Sequence, residues 1–264
     1  MFLNNFNYFD MYNSEDKTNY KITYLKSIIK NNKLYKFIQF SENTSLNKSK
    51  LNMLKNDELW FSFYKNLNDP NEFKVIVDKT KLKNNGVSPQ LVDYMKEVYD
   101  VCCFTYEYNE NMWKEYGNNS NGCCLIFEIN ENHYDCLHPI MYENKENINF
   151  TKLYIESAKE GFNPYTKNPI SILPFVLKDP INQGNGLISK NEKEIRILYA
   201  TDESEVNGCI VMPGLKEKLN YHGIGAPCTN FGLKLDGVII GSNCEFKKEI
   251  EEICKNKKIT ILKL

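Results

Sequence analysis

Two carboxylates and a guanidinium alternate in Glu192-Lys193-Glu194-Ile195-Arg196. In a strand, that spacing puts Glu192, Glu194 and Arg196 on one face and Lys193, Ile195 and Ile197 on the other. Arg196 is the only arginine of the chain. Lysine can replace arginine wherever positive charge alone is needed. It cannot do so where a planar, permanently charged fork must grip a carboxylate or phosphate at two points. The segment has two readings. As an exposed ladder it contributes almost nothing to stability. Lining a cleft, Arg196 fixes one carboxylate and leaves the other in a tuned environment.

A second segment with chemical potential is Asn68-Asp69-Pro70-Asn71-Glu72, which reads either as ordinary turn chemistry or as a loop that holds a polar ligand. The third is Met112-Trp113-Lys114-Glu115-Tyr116-Gly117. Trp113 and Tyr116, three residues apart, share a helix face, which suits core packing and equally a stacking wall for a planar ligand.

The elements that must position these groups follow from periodicity. Tyr20, Ile22, Leu25, Ile28 and Ile29 fall at near-helical spacing after a polar start, so residues 1–33 read as a helical appendage. Leu34–Phe40, Glu58–Phe63, Val101–Tyr106 and Cys123–Ile129 read as strands by their aromatic and β-branched content. Glu192–Tyr199, Val206–Met212, Lys234–Ile240 and Ile259–Leu264 follow as further strands. Helices are expected over Ser45–Leu54, with Leu46, Leu51 and Leu54 on the buried side, from Ser88-Pro89 through Val98, over Ile148–Glu160 and over Glu245–Lys255. Residues 161–187, rich in Asn, Pro and Gly, read as a long loop that shapes a site or moves. The expected fold is α+β: residues 34–264 as one mixed domain with a central, largely antiparallel sheet flanked by short helices.

Composition narrows the function classes. The 264 residues carry 33 Lys+Arg against 34 Asp+Glu, a formal charge of -1, which offers no net field to recruit nucleic acid or an anionic membrane. No apolar run approaches the roughly 20 residues needed to span a bilayer. Nine cysteines occur without a CxxC pair, and Cys102-Cys103 and Cys123-Cys124 sit inside apolar runs, as core packing rather than a zinc site requires. His133, His138 and His222 are not at ligand spacing. A reduced, cytoplasmic setting with no membrane contact, no resident metal and no strong non-specific nucleic-acid binding is the expectation.

Six motifs, in order, carry a resemblance: Leu34-Tyr-Lys-Phe37, Leu59-Trp-Phe-Ser62 with Leu67-Asn-Asp-Pro-Asn-Glu72, Cys103-Phe-Thr105, Met112-Trp-Lys-Glu-Tyr116, Gly122-Cys-Cys-Leu-Ile-Phe127 and Glu192-Lys-Glu-Ile-Arg196. Together they resemble the family catalogued as domain of unknown function 2971, over residues 34–264. The chain departs from that family at Ile38 and Gln39, where an Arg is usual, and at Glu115, where a His is usual. The resemblance implies a mostly bacterial distribution and, for some members, a defence-like context; it implies no settled activity.

The layout of a first strand with Tyr35 and Lys36, a middle strand ending in Phe104-Thr105 and a late strand with Glu-x-Glu looks like the split catalytic layout of ADP-ribosyltransferase-like enzymes. In that reading NAD is a co-substrate. Glu194, with Glu192 beside it, stabilises an oxocarbenium-like ribose as nicotinamide leaves. Arg196 or Lys36 holds a phosphate, Tyr35 or Trp113 stacks on nicotinamide, Thr105 and Tyr116 line the site, and Asn68 and Asp69 contribute polar contacts. A bacterial toxin or phage-defence effector fits this activity, with the acceptor undefined. Two alternatives stand beside it. One is a metal-dependent phosphodiesterase or nuclease using Asp69, Glu72 and Glu194 around Mg²⁺, against which the neutral charge counts. The other is a non-catalytic binding module that uses the Trp113 and Tyr116 face.

Overall fold

Apolar runs that alternate between two faces build the centre of the molecule, described in the computed structural model over residues 5–67, 73–159, 169–181, 189–200 and 214–262. The chain enters through α1 (Tyr8–Asn13) and α2 (Lys17–Ile28), whose orphan amides are capped by the side chains of Asn7 and Asp16. Strand β1 (Lys33–Gln39) leads to α3 (Thr44–Asn56), capped by Asn43 and stopped by Asp57 in the left-handed region, and then to β2 (Glu58–Ser62). Next come α4 (Lys79–Asn84), α5 (Gln90–Val98), β3 (Tyr99–Thr105), α6 (Met112–Glu115) and β4 (Gly122–Ile129). The short β5 (Leu137–Pro139) and β6 (Met141–Tyr142) precede α7 (Phe150–Lys159), α8 (Pro169–Val176) and β7 (Leu177–Lys178). Strand β8 (Glu194–Ala200), helix α9 (Leu215–Lys218), β9 (Gly223–Pro227), β10 (Leu233–Ile240), α10 (Lys247–Lys257) and β11 (Thr260–Leu262) complete the order.

The fold is one α+β domain around a sheet of nine strands among the described residues. Its main path runs β11-β10-β4-β1-β3-β2-β9, and β8 pairs along the whole of β3 and carries β5 on its other side. All of its pairs are antiparallel except β10 with β11. Tyr142 and Lys178 are register partners in a separate parallel ribbon of β6 and β7. One face of the sheet carries a continuous core that includes Leu34, Phe104, Leu125, Phe127, Ile195 and Ile197. On the other face two clusters stand apart: one of Tyr99, Val101, Leu198 and the surrounding helices, the other of Cys124, Ile126, Ile239 and Trp113.

Several local expectations are corrected. The N-terminal segment is helical before Ser14, and Phe6, Tyr8 and Tyr24 are buried in the same cluster as Tyr99 and Leu198. Leu46, expected on the buried side of α3, is 47% exposed, because it lies in the first turn of the helix, ahead of the part that packs on β2. Residues 169–178, inside the stretch read as a loop, form α8 and β7; the apolar run ending at Leu177 finds a core to bury in. Strand Val206–Met212 lies outside the described residues.

Candidate functional site

Strand β8 begins at Glu194, two residues later than expected, and Glu192 ends a short 3₁₀ turn, Ser189–Glu192. Lys193 between them takes a φ of 50°, which breaks the strand alternation. The two carboxylates nevertheless converge, because Lys178 reaches both: its Nζ donates to Glu192 Oε2 at 2.6 Å and to Glu194 Oε2 at 3.1 Å. The other oxygen of Glu194 accepts from Arg196 Nε at 2.6 Å, and Arg196 Nη1 donates to the Phe175 carbonyl at 2.6 Å. That carbonyl lies in the last turn of α8, where four carbonyls lack intrahelical partners, so Arg196 joins a carboxylate to a helix end. Its guanidinium also lies 5.3 Å from the centre of the Phe73 ring.

The ribbon of β6 and β7 makes this possible. It presents Lys178 to the carboxylates and Tyr142 beside it, whose hydroxyl accepts the Glu194 backbone N–H at 3.1 Å. Tyr116 stands beside Glu192 and its side chain lowers that carboxyl. Gly117, which follows Tyr116, leaves room for Trp113, since a Cβ there would fall 2.6 Å from the Trp113 ring. Glu192, Lys178, Glu194 and Arg196 thus form one chain of alternating acceptors and donors, with Tyr116 beside its outer end.

Its electrostatics separate the two acids. Burial alone raises the Glu194 carboxyl, but the Arg196 guanidinium and Lys178 ammonium outweigh it and hold the group well below the usual carboxylate range. Glu192 moves the other way: burial and the neighbouring Glu194 charge raise it against the pull of Lys178 and Tyr116. Burial also raises Tyr116 and Tyr142, so both hydroxyls stay protonated. Glu194, Lys178 and Arg196 are all buried, with only 1% of the Arg196 side chain exposed, and Glu192 is the more accessible acid at 15%. The exposed-ladder reading of the segment is therefore excluded.

The sequence-chosen residues fall into three groups. Register places Tyr35 opposite Thr105 and Thr105 opposite Glu194, so the three form one row across β1, β3 and β8 on a single face of the sheet. Cys103, Arg196 and His138 make the adjacent row on β3, β8 and β5. Thr105 is tied locally, its hydroxyl donating to the Glu107 carbonyl and accepting the Glu107 N–H. Trp113 is a core residue: it is buried, packs edge-on against Phe37 at 5.1 Å and donates Nε1 to the Tyr108 hydroxyl at 2.9 Å, which leaves no open ring face for stacking. Lys36 points away from a ligand role too; its Nζ donates to the Cys103 carbonyl at 3.1 Å and lies 5.4 Å from the centre of the Phe104 ring. Arg196 is spent on Glu194 and α8 rather than on a phosphate. Asn68 and Asp69 lie outside the described residues, as does Glu72. Among the described residues no group of three His, Cys, Asp or Glu is arranged to hold a metal ion. No described helix is long and apolar enough to cross a membrane.

Lys178, Tyr142 and Phe175 were missed in the sequence. A signal existed for Lys178: a lone lysine directly after the apolar run Ile172-Leu-Pro-Phe-Val-Leu177 must either reach for water or find a buried anion. No protein-family model, curated protein or solved structure matches the chain.

Proposed function

We propose that the chain is an enzyme that cleaves the nicotinamide–ribose bond of NAD and transfers the ADP-ribosyl group, in the manner of the ADP-ribosyltransferase-like class. The single observation that supports this reading is the pair Glu192 and Glu194, joined through Lys178 and shifted in opposite directions, at the end of the row from Tyr35 through Thr105. Two acids driven apart by their surroundings are suited to two roles. The C1′–N bond breaks with its electrons passing to the pyridinium nitrogen, which leaves positive charge on the ribose. Glu194, kept anionic by Arg196 and Lys178, stabilises that charge. Glu192, the more accessible and more basic carboxylate, takes the proton released as the acceptor's nucleophile bonds to C1′. Arg196 and Lys178 are positioning residues, Tyr116 offers a ring beside Glu192, and Tyr35 stands in the same row two strands from Glu194.

The test uses NAD labelled in nicotinamide and in adenine, incubated with the wild type and with Glu194→Gln. Release of nicotinamide that falls about 10²–10³-fold in the variant supports the reading. Release no greater than the variant's, with no label on any protein or nucleic-acid acceptor, removes it.

A second reading, a binding module without catalysis, is favoured by one feature: both oxygens of Glu194 are already taken by Arg196 and Lys178, as in a network that serves the fold. Under it Glu194→Gln alters stability and changes no turnover.

A further inference from the structure

On the opposite face of β3 and β8 a second set of buried charges holds the turn that contains α9. Lys216 and Asp100 are both 0% exposed and meet at 3.0 Å. The Tyr221 hydroxyl donates to the other Asp100 oxygen at 2.7 Å, and the Lys216 ammonium lies 4.8 Å from the Tyr221 ring centre and 5.3 Å from that of Phe63. Glu97, on the last turn of α5, accepts the backbone N–H groups of Gly214 and Lys216. Glu97 is 2% exposed, and its Oε2 has no hydrogen-bond partner among the described residues.

We propose that Glu97 is a proton-operated latch on the turn from Gly214 to Tyr221. In its neutral form the carboxyl keeps its carbonyl bonds to both amides and carries no charge to be buried. In its anionic form it retains the amide bonds but leaves one charged oxygen facing no donor among the described residues, a state that undocking relieves by admitting water. Lys216 does not supply the missing partner, because it forms its close pair with Asp100. Burial accordingly pushes the Glu97 carboxyl above its ordinary value, against the amides of Gly214 and Lys216 and the charges of Lys216 and Lys65.

The other titratable groups around the latch come from every packed element: Asp93 and Lys96 on α5, Tyr64 and Lys65 after β2, Asp100 on β3, and Lys216, Glu217, Tyr221 and His222 on the turn itself. Asp93 pairs with Lys96, Glu217 with Lys65 and Asp100 with Lys216. Tyr64 is raised by burial and by the Glu97, Asp93 and Glu217 charges, so it stays neutral where Glu97 titrates.

Hydrogen exchange of the full chain between about pH 5 and pH 8, corrected for intrinsic base catalysis, tests the latch. The wild type is expected to lose protection at the amides of 215–222 severalfold as pH rises, while β4 amides keep theirs. In Glu97→Gln the profile becomes flat at the level of the acid wild type, and His222→Gln keeps the wild-type slope. A flat wild-type profile overturns the proposal without any variant. So does a slope that survives in Glu97→Gln, or one that disappears in His222→Gln.

Discussion

The two buried charge clusters lie on opposite faces of the same pair of strands and are built to different rules. On one face Asp100 meets Lys216, each completely buried, and Tyr221 takes the remaining oxygen, so this pair balances acid and base one to one while Glu97 stands beyond it against the same turn. On the other, two acids share Lys178 and only one of them also holds Arg196. The first cluster is closed. The second ends in Glu192, an acid less than fully compensated and, unlike the buried Glu97, partly exposed, and a surplus that a ligand can reach is what makes a candidate site. Burial of charge by itself does not: both clusters desolvate ions at a cost that good geometry only offsets.

The largest expected effects come from breaking each cluster on one side. Arg196→Ala and Lys216→Met each strand a buried carboxylate and should cost about 3–5 kcal/mol in urea unfolding. The clusters separate when both partners are replaced. Asp100→Asn with Lys216→Met should recover most of that loss, since that pair leaves no charge unpaired, and should leave the proposed NAD cleavage intact. Glu194→Gln with Arg196→Met should also recover stability, yet lose nicotinamide release. Equal turnover in the two double variants would remove the functional distinction between the faces.

Acidification separates the two acids of the open cluster. Glu194 is depressed in the folded state, so its contribution to stability is full above the unfolded carboxylate value and is lost as pH falls through the folded one. Glu192 is raised, so its ionised form opposes folding above the raised value. That opposition fades as pH falls towards the unfolded one. Urea midpoints followed downward from neutral pH should therefore rise slightly before they fall. Glu192→Gln should remove its share of the rise, leave the share of Glu97 and keep the fall; Glu194→Gln should keep the rise and remove the fall. A fall that survives intact in Glu194→Gln assigns the acid sensitivity to another group.

The difference between the faces also governs what could be read from sequence. Glu192, Glu194 and Arg196 were legible because a lysine-rich chain kept one arginine, and arginine does what lysine cannot. The row of Tyr35, Thr105 and Glu194 was legible as an order of motifs, because β1, β3 and β8 lie side by side. The sheet and its largely antiparallel character followed from apolar runs of strand length. Asp100 and Lys216 carried no such mark: they stand 116 residues apart, and each is an ordinary surface residue until the fold brings the other to it. Lys178 was hidden differently. Its neighbourhood is rich in Asn, Pro and Gly, which outweighed the apolar run that buries it. Trp113 misled because three-residue spacing specifies a shared face but not whether that face meets a core or a ligand.

The smallest effect bears most directly on the contrast between closed and open clusters. Tyr116 contributes one hydroxyl interaction with the Glu192 carboxylate at the accessible end of the network, so Tyr116→Phe should cost no more than the roughly 1.5–3 kcal/mol of a hydrogen bond to a charged group. The interaction favours the Glu192 anion, so its loss raises that carboxyl further and moves the acid limb of nicotinamide release to higher pH. Tyr221→Phe is the matching change in the closed cluster. It removes a hydroxyl from the Asp100 carboxylate and should cost a similar amount, while the pH profile of turnover stays where it was. If Tyr116→Phe leaves that profile unmoved as well, Glu192 is not the group that handles the proton, and the surplus acid is as structural as Asp100.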